Sequence, residues 1–340
     1  MSRGHGEAEI MSSTTASQTA PAAPASSRFA VVDLARGFAL LAMFVYHFAY
    51  DLSFFRLIEM DVVVEPGWRL FARCIAGSFL TIVGFSLVLA TRKGLNRKAY
   101  LKRLAMVAGA AALVSIGTWF ALPGNFIFFG ILHHIAVASV LALPFLRLPV
   151  VLVALAAIVA FALPGFVDNP LFDQPWAVWL GLSHIPLQTA DFVPVFPWFG
   201  FVLSGIVLGR LLLARLAGTR LAGWQPRILP TRIIAWGGRH SLPIYLLHQP
   251  LFIGCLMLVT LVVPTPSPEE RAFRTDCQLS CASPNLTQQV CRAVCACTVE
   301  SLKREKLWQK ALDGLLAPQE TLRLTELAQS CLRERERPQP

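Results

Sequence analysis

Four ionisable residues, Asp33, Arg36, His47 and Asp51, interrupt an otherwise apolar stretch, RFAVVDLARGFALLAMFVYHFAYDLSFF at residues 28–55. On a helix at 100° per residue they fall within a sector of roughly 60°. An imidazole with a carboxylate one turn away has the types and spacing for proton transfer. Asp51 is placed to hold one ring nitrogen of His47 while the other takes or gives a proton. An imidazole can also carry a transferred group as a nucleophile. Arg36 adds a permanent cation to the same stripe, three residues from Asp33 and so spaced to pair with it. The plainer reading makes His47 a hydrogen-bonded strut between helices and Asp33–Arg36 an anchoring ion pair. In lipid, charged groups are costly and face a protein interior or a wet cavity, which makes the stripe a functional candidate.

Other apolar stretches carry imidazoles too. His47 lies about 16 Å along the axis from Arg36, near the middle of a hydrocarbon layer roughly 30 Å thick. His133 and His134 are expected about 12 Å into their own span, and His248, in GRHSLPIYLLHQPLF, about 10 Å from a helix start capped by Ser241. Asn125 follows Pro123-Gly124 at another helix start, where it either touches a substrate or serves the turn. His184 falls in a connecting loop and reads as a surface residue. Gly77, Gly84 and Ser86, and Ser204, Gly205 and Gly209, read as small residues that let helices approach closely.

The elements that must position these groups follow from composition. The 340-residue chain is 55% apolar and only 15% charged, with a mean hydropathy of +0.57, outside the range of ordinary soluble domains. Apolar runs at 37–55, 70–90, 104–121, 126–146, 149–165, 195–213 and 241–263 predict an all-α polytopic membrane bundle of seven spans. The net charge of +10 does not imply nucleic acid, because the cations fall between spans. Arg92, Lys93, Arg97, Lys98, Lys102 and Arg103 crowd one loop and Arg210, Arg215, Arg220, Arg227 and Arg232 another, both without acids. Topology alone accounts for the first cluster, and phosphate binding is its functional alternative. The 164–194 connection holds Asp168, Asp173 and Asp191 without Lys or Arg. This alternation predicts a plasma or inner-membrane protein with a cytoplasmic amino end and an extracytoplasmic carboxyl end. Residues 1–27, rich in Ala, Ser, Thr and Pro, lack the pattern of a cleavable signal and read as a disordered cytoplasmic tail.

A Pro264-Thr-Pro-Ser-Pro268 break separates the 28–263 membrane domain from an extracytoplasmic helical tail over 264–340. The tail holds Cys277, Cys281, Cys291, Cys295, Cys297 and Cys331. Two Cys-x3-Cys pairs nine residues apart put two cysteines on one face of each of two short helices. Six cysteines allow fifteen pairings, with zinc as the rival, though this spacing suits zinc poorly and an oxidising location favours disulfides. No metal is expected. The arrangement resembles a twin Cys-x3-Cys helical hairpin, and that resemblance implies Cys277–Cys295 and Cys281–Cys291, with Cys297–Cys331 tying on a helix near 319–335. Cys74 and Cys255 fall within spans and read as small buried apolar residues. Asn285-Leu-Thr287 fits a glycosylation sequon.

Arg28, then Asp33-Leu-Ala-Arg36-Gly37 and an apolar run to His47, resembles the opening of the catalytic region of heparan-alpha-glucosaminide N-acetyltransferase and its bacterial relatives. Ser241-Leu-Pro-Ile-Tyr-Leu-Leu-His248-Gln-Pro250 resembles the late-helix motif of the broader membrane acyltransferase clan. The resemblance covers about residues 28–263 and extends to Asp33, Arg36, Gly37 and His47. It implies an integral membrane enzyme that takes an acetyl group from acetyl-CoA on the cytoplasmic side and gives it to an acceptor across the membrane. The eukaryotic enzyme carries Asn where this chain has His47, which argues against heparan sulfate as substrate and leaves the catalytic base open; the acceptor expected is an extracytoplasmic glycan or a similar molecule. The expected partners are membrane lipid, the acyl-CoA donor and that acceptor. His47 and Asp51 serve as base or relay, with His248 second, and Asp33, Arg36, His133, His134 and Asn125 face donor or acceptor. A proton-coupled transporter using the same intramembrane residues, and a non-catalytic scaffold, are the rival readings; oligomeric state stays open.

Overall fold

A computed structural model describes residues 29–336 apart from 59, 123, 168, 184, 186, 188, 217–218, 220–223, 264–265 and 282–285. Arg28, His184, Asp168, Arg220 and Asn285 therefore lie outside the described residues. Five helices are long and apolar enough to cross a membrane: α1 (Ala30–Phe54), α2 (Pro66–Thr91), α3 (Arg97–Ala121), α6 (Val195–Leu216) and α8 (Ser241–Thr260). Two apolar helices, α4 (Ile131–Leu141) and α5 (Val150–Ala162), are shorter. The amphipathic α7 (Leu229–Arg239) precedes α8, and the tail forms α9 (Pro268–Cys281), α10 (Gln288–Arg304), α11 (Trp308–Leu312) and α12 (Pro318–Glu336). No strand forms among the described residues; Phe129 and Phe192 make an isolated bridge.

Local chemistry sets the boundaries. Pro66 opens α2 where no intrahelical N–H is needed. Asn96 caps α3 by accepting the Ala99 N–H at 3.1 Å. Gly94, at φ +92°, makes the left-handed turn between α2 and α3.

The bundle wears its apolar residues outside. Phe38, Leu41, Val45 and Phe48 on α1, Leu113, Ile116 and Phe120 on α3, and Leu247, Leu251 and Leu258 on α8 are all exposed. Asp51 and His134, each 1% exposed, and His248 are buried. Water would reverse this arrangement; lipid requires it. Arg210 donates to the Phe145 carbonyl at 3.0 Å and also to those of Leu146 and Leu148. It thereby satisfies backbone acceptors between α4 and α5 that have no helical partner.

Close backbone approach orders the helices. A Cβ at Gly84 would strike the backbone of Val202 and Ile206, and one at Gly205 the backbone of Thr81 and Phe85. α2 and α6 thus meet without intervening side chains, the reading given to these small residues from sequence. Gly37 lies equally close to the Ile234 carbonyl, and Gly238 to that of Asp33, seating α7 on the first turns of α1.

Several sequence expectations change here. The span expected over 126–146 yields only eleven helical residues, because residues 124–130 form a non-helical connection that pairs with 189–193, with Val193 N–H bonded to Phe129 O at 3.0 Å. His133 and His134 consequently sit in the first turn of α4, not eight residues into a span. The second basic loop hides α7, whose mixture of Arg, Gly and apolar residues resembles no span. Cys74 and Cys255 are exposed on outer helix faces instead of buried. His240, rather than Ser241, occupies the residue before α8.

The tail is oxidised: Cys277–Cys295, Cys281–Cys291 and Cys297–Cys331 are disulfides, which leaves none of these sulfurs as a thiolate for zinc. Buried Glu270 bonds Lys303 at 2.7 Å and Arg274 at 2.6 Å, tying α9 to α10. Burial alone would raise the Glu270 pKa, but the bonds to Lys303 and Arg274 outweigh it and hold the carboxyl below its ordinary value.

Two predictions follow from this packing. Gly205→Leu should destabilise the bundle by about 1–3 kcal/mol or prevent its assembly, whereas Gly109→Leu, with nothing within 4 Å of its Cβ, should be tolerated. Thermal denaturation in detergent with size-exclusion chromatography reads the difference, and equal behaviour of the two variants contradicts the α2–α6 contact. Glu270→Gln should loosen α9 by about 1–2 kcal/mol at neutral pH. A depressed folded pKa gives stability that is present above the unfolded value of 4.5 and lost as pH falls through the folded value. Hydrogen exchange over α9 should therefore distinguish parent from variant at pH 7 and converge near pH 3; a constant gap at both pH values rules out the charge pairing.

Candidate functional site

The amino-terminal turns of α1 face a cationic basin. Arg36 Nη1 donates to Asp33 Oδ1 at 3.1 Å, and Nη2 donates to Ser86 Oγ on α2 at 2.6 Å. The Ser86 hydroxyl passes its own hydrogen to the Ile82 carbonyl at 2.6 Å. Arg36 is thus fixed from both sides, and its guanidinium opens on a cavity of about 810 Å³. Arg36, Arg92, Lys93, Arg103 and Arg239 line this cavity against the single carboxylate of Asp33. Five cations and one acid make a receptor for a multiply charged anion. A smaller cleft of about 180 Å³ shares Ala90 and Arg103 with the basin and is otherwise walled mainly by apolar groups such as Leu87, Leu95, Leu104 and Val107.

Further along α1 lies a second polar cluster, shared with α8. Gln249 Nε2 donates to Asp51 Oδ1 at 2.6 Å. His248 Nδ1 lies 2.5 Å from the Tyr245 carbonyl. A carbonyl can only accept, so Nδ1 carries the proton and the neutral ring presents its lone pair at Nε2. The His47 and His248 rings meet edge to face with centroids 4.9 Å apart, and Phe44 stacks on His248 at 5.6 Å. Four buried polar atoms here have no hydrogen-bond partner: His47 Nδ1, Asp51 Oδ2, His248 Nε2 and Gln249 Oε1. Orphaned atoms are costly in a bilayer, and four on facing turns describe a site that a polar ligand or water completes.

His47 and Asp51, expected to bond each other, do not do so in this geometry. Asp51 gives one oxygen to Gln249 and leaves the other unpartnered, while His47 Nδ1 also lacks a partner. The nearest ionisable ring to His47 is that of His248. One helical turn brings side chains onto the same face without obliging them to bond, and a facing amide reaches Asp51 first.

The remaining candidates separate clearly. His133 Nδ1 accepts the Gly130 N–H at 3.2 Å, so Nε2 holds the proton and donates to Ser115 Oγ at 3.0 Å; Ser115 in turn donates to Ile127 O at 2.7 Å. Both nitrogens of His133 are used in closing the start of α4. His134 Nδ1 faces the carbonyls of Val193 and Pro194 at 3.2 and 3.1 Å, while its buried Nε2 has no partner. Asn125 is exposed in the loop before α4, where its carbonyl accepts the Ala190 N–H at 3.1 Å, a turn residue's environment.

Sequence reasoning missed several participants. The sequence reads Ser86 as packing, Arg103 as part of a basic cluster with phosphate binding as its alternative, and Gln249 only as part of a motif, while Arg239 carries no sequence argument. Asp191 is one acid among three in a loop, yet its Oδ2 accepts the Ile131 N–H at 2.9 Å and so holds the start of α4. Burial pushes the Asp191 carboxyl above its ordinary range, and the Ile131 bond partly counters this. A lone Gln among the apolar residues of α8 was the one available signal, since an amide in lipid needs a partner.

Residues 28–250 match the family described as heparan-alpha-glucosaminide N-acetyltransferase, catalytic. The match runs through α1 to α7 and into α8 as far as Pro250, enclosing the basin and the histidine cluster and leaving out the oxidised tail. No curated protein and no solved structure matches the chain. Together with its apolar helices, the match makes this an integral membrane protein that belongs to the heparan-alpha-glucosaminide N-acetyltransferase catalytic family, of membrane acetyltransferase type.

Proposed function

We propose that the chain moves an acyl group, acetyl in the first instance, from cytoplasmic acyl-CoA to a hydroxyl or amine of an extracytoplasmic glycan-like acceptor. The observation that carries this reading is the set of four unpartnered polar atoms of His47, Asp51, His248 and Gln249 on facing turns of α1 and α8. Such a set suits a reaction centre that borrows its missing hydrogen bonds from substrate. The orientation, amino end in the cytoplasm and tail outside, rests on the basic residues crowding the loops at the basin end.

In this reading the phosphates of the donor rest over Arg36, Arg103 and Arg239. The thioester then has to reach about 16 Å along α1, the rise from Arg36 to His47, a span suited to a pantetheine arm. His248 Nε2 takes the acceptor proton as the acceptor oxygen or nitrogen attacks the thioester carbonyl carbon. The C–S bond breaks, the sulfur leaves as thiolate, and the imidazolium returns the proton to it. The Tyr245 carbonyl holds the ring in the tautomer this needs. His47 lies beside it to orient the acceptor or relay the proton, and the Asp51–Gln249 bond fixes the facing turns. The geometry thus favours His248 as base, where sequence favoured His47.

Purified protein supplied with acetyl-CoA and a panel of sugar acceptors should release free CoA. His248→Ala should lower that rate by about 10²–10⁴-fold, the usual contribution of a positioned base; a variant that matches the parent removes His248 from the mechanism. Arg36→Gln should act differently, raising KM for acetyl-CoA about tenfold or more with a smaller change in kcat, as expected from a lost charge-assisted contact to the bound donor. An unchanged KM places the donor elsewhere.

A further inference from the structure

We propose that α7 is an interfacial anchor that binds the headgroups of anionic phospholipids. Its eleven residues are too few to cross a bilayer. One face is settled against α1: Ala235 and Gly238 are buried, and Gly238 approaches the Asp33 carbonyl while the Ile234 carbonyl faces Gly37. The opposite face is exposed among the described residues, where Trp236 meets the His240 ring at 4.6 Å. There Leu229, Ile233 and Trp236 are 67%, 58% and 53% exposed. On a helical wheel these three fall within a sector of roughly 60°, and Arg232 and Arg239 fall together along one edge of it. Ile228, just before the helix, continues the apolar face at 64% exposed.

Charge complementarity selects the occupant. Residues 224–240 include Arg227, Arg232 and Arg239 and no acid. Apolar wedge, flanking arginines and a tryptophan form the pattern of a helix lying in the plane of the headgroups, with its apolar face sunk into the acyl boundary. A protein partner of the same shape would meet three uncompensated cations at the rim, whereas anionic headgroups neutralise them at about 1 kcal/mol each. The close contact with Asp33 and Gly37 sets α7 at the very start of α1, where a span leaves the hydrocarbon. Arg239 also lines the cationic basin, so the anchor fixes one wall of that cavity.

The test reads lipid contact and is independent of any acyl transfer. Ile233→Cys, placed in the full-length chain with Cys74→Ala and Cys255→Ala and the tail disulfides intact, is labelled with bimane. It is then reconstituted into nanodiscs of phosphatidylcholine with or without phosphatidylglycerol. Phosphatidylglycerol carrying a nitroxide just below its headgroup should quench the label about fivefold more effectively than phosphatidylcholine carrying the same nitroxide, roughly the effect of one neutralised cation. Aqueous iodide should quench it weakly. Adding Arg227→Gln and Arg232→Gln, both at exposed positions, should abolish the preference for the anionic lipid while leaving the elution volume unchanged. Strong iodide quenching in every nanodisc would mean that the face points to water or to a displaced partner, and equal quenching by the two lipids would mean that the arginines do not select anions. Either result overturns the proposal.

Discussion

The bond between Gln249 Nε2 and Asp51 Oδ1 ties together the polar interior that α1 shares with α8. A carboxyl group with 1% exposure inside a lipid-facing bundle stays there only if something answers its hydrogen-bonding needs. Gln249 supplies one bond and, in doing so, sets the register between α1 and α8. That register places His248 beside His47 and turns the free nitrogens of both inward. Breaking the bond would leave a buried acid and a buried amide unpaired at once, a larger loss than either group's net contribution.

The two polar regions of α1 are served by different physics. The basin at its start gathers cations near the membrane boundary, where water and counter-ions keep their repulsion tolerable. Arg36 is held there by a carboxylate and a hydroxyl, so its direction is fixed before any anion arrives. The deeper cluster has no net excess of cations and works through orientation: one imidazole tied to a carbonyl, an amide tied to an acid, and four atoms left unsatisfied. Between and around them the helices approach through glycines, α2 on α6 and α1 on α7. With backbones that close, small shifts at one helix are transmitted to the next instead of being absorbed by flexible side chains.

Much of this was legible in the sequence because lipid punishes exceptions. The stripe of Asp33, Arg36, His47 and Asp51 stood out against an apolar background, and its one-sidedness predicted that it faces inward. The helical, multi-span class, the oxidised tail and the family resemblance were visible for similar reasons, each resting on a few residues in fixed register. Partners across helices were not visible. Spacing along α1 suggested that Asp51 serves His47, but the competitor that reaches Asp51 first sits 198 residues away in the chain. α7 was hidden because its apolar residues are diluted by Arg and Gly, so a search for continuous apolar runs passes over it. The shortened α4 reflects a loop that folds inward: Asp191 and the 189–193 segment take the place expected for the start of a span and supply its first hydrogen bonds.

The central claim is that the cationic basin and the His47–His248 cluster are two ends of one donor site. The most direct measurement is a cryo-EM map of the full chain in a lipid nanodisc with a non-hydrolysable thioether analogue of acetyl-CoA. The account predicts density for the phosphates against Arg36, Arg103 and Arg239, and a pantetheine arm running along α1 to end beside His248 Nε2. Donor density that seats its phosphates elsewhere, or an arm that leads away from the two histidines, contradicts it.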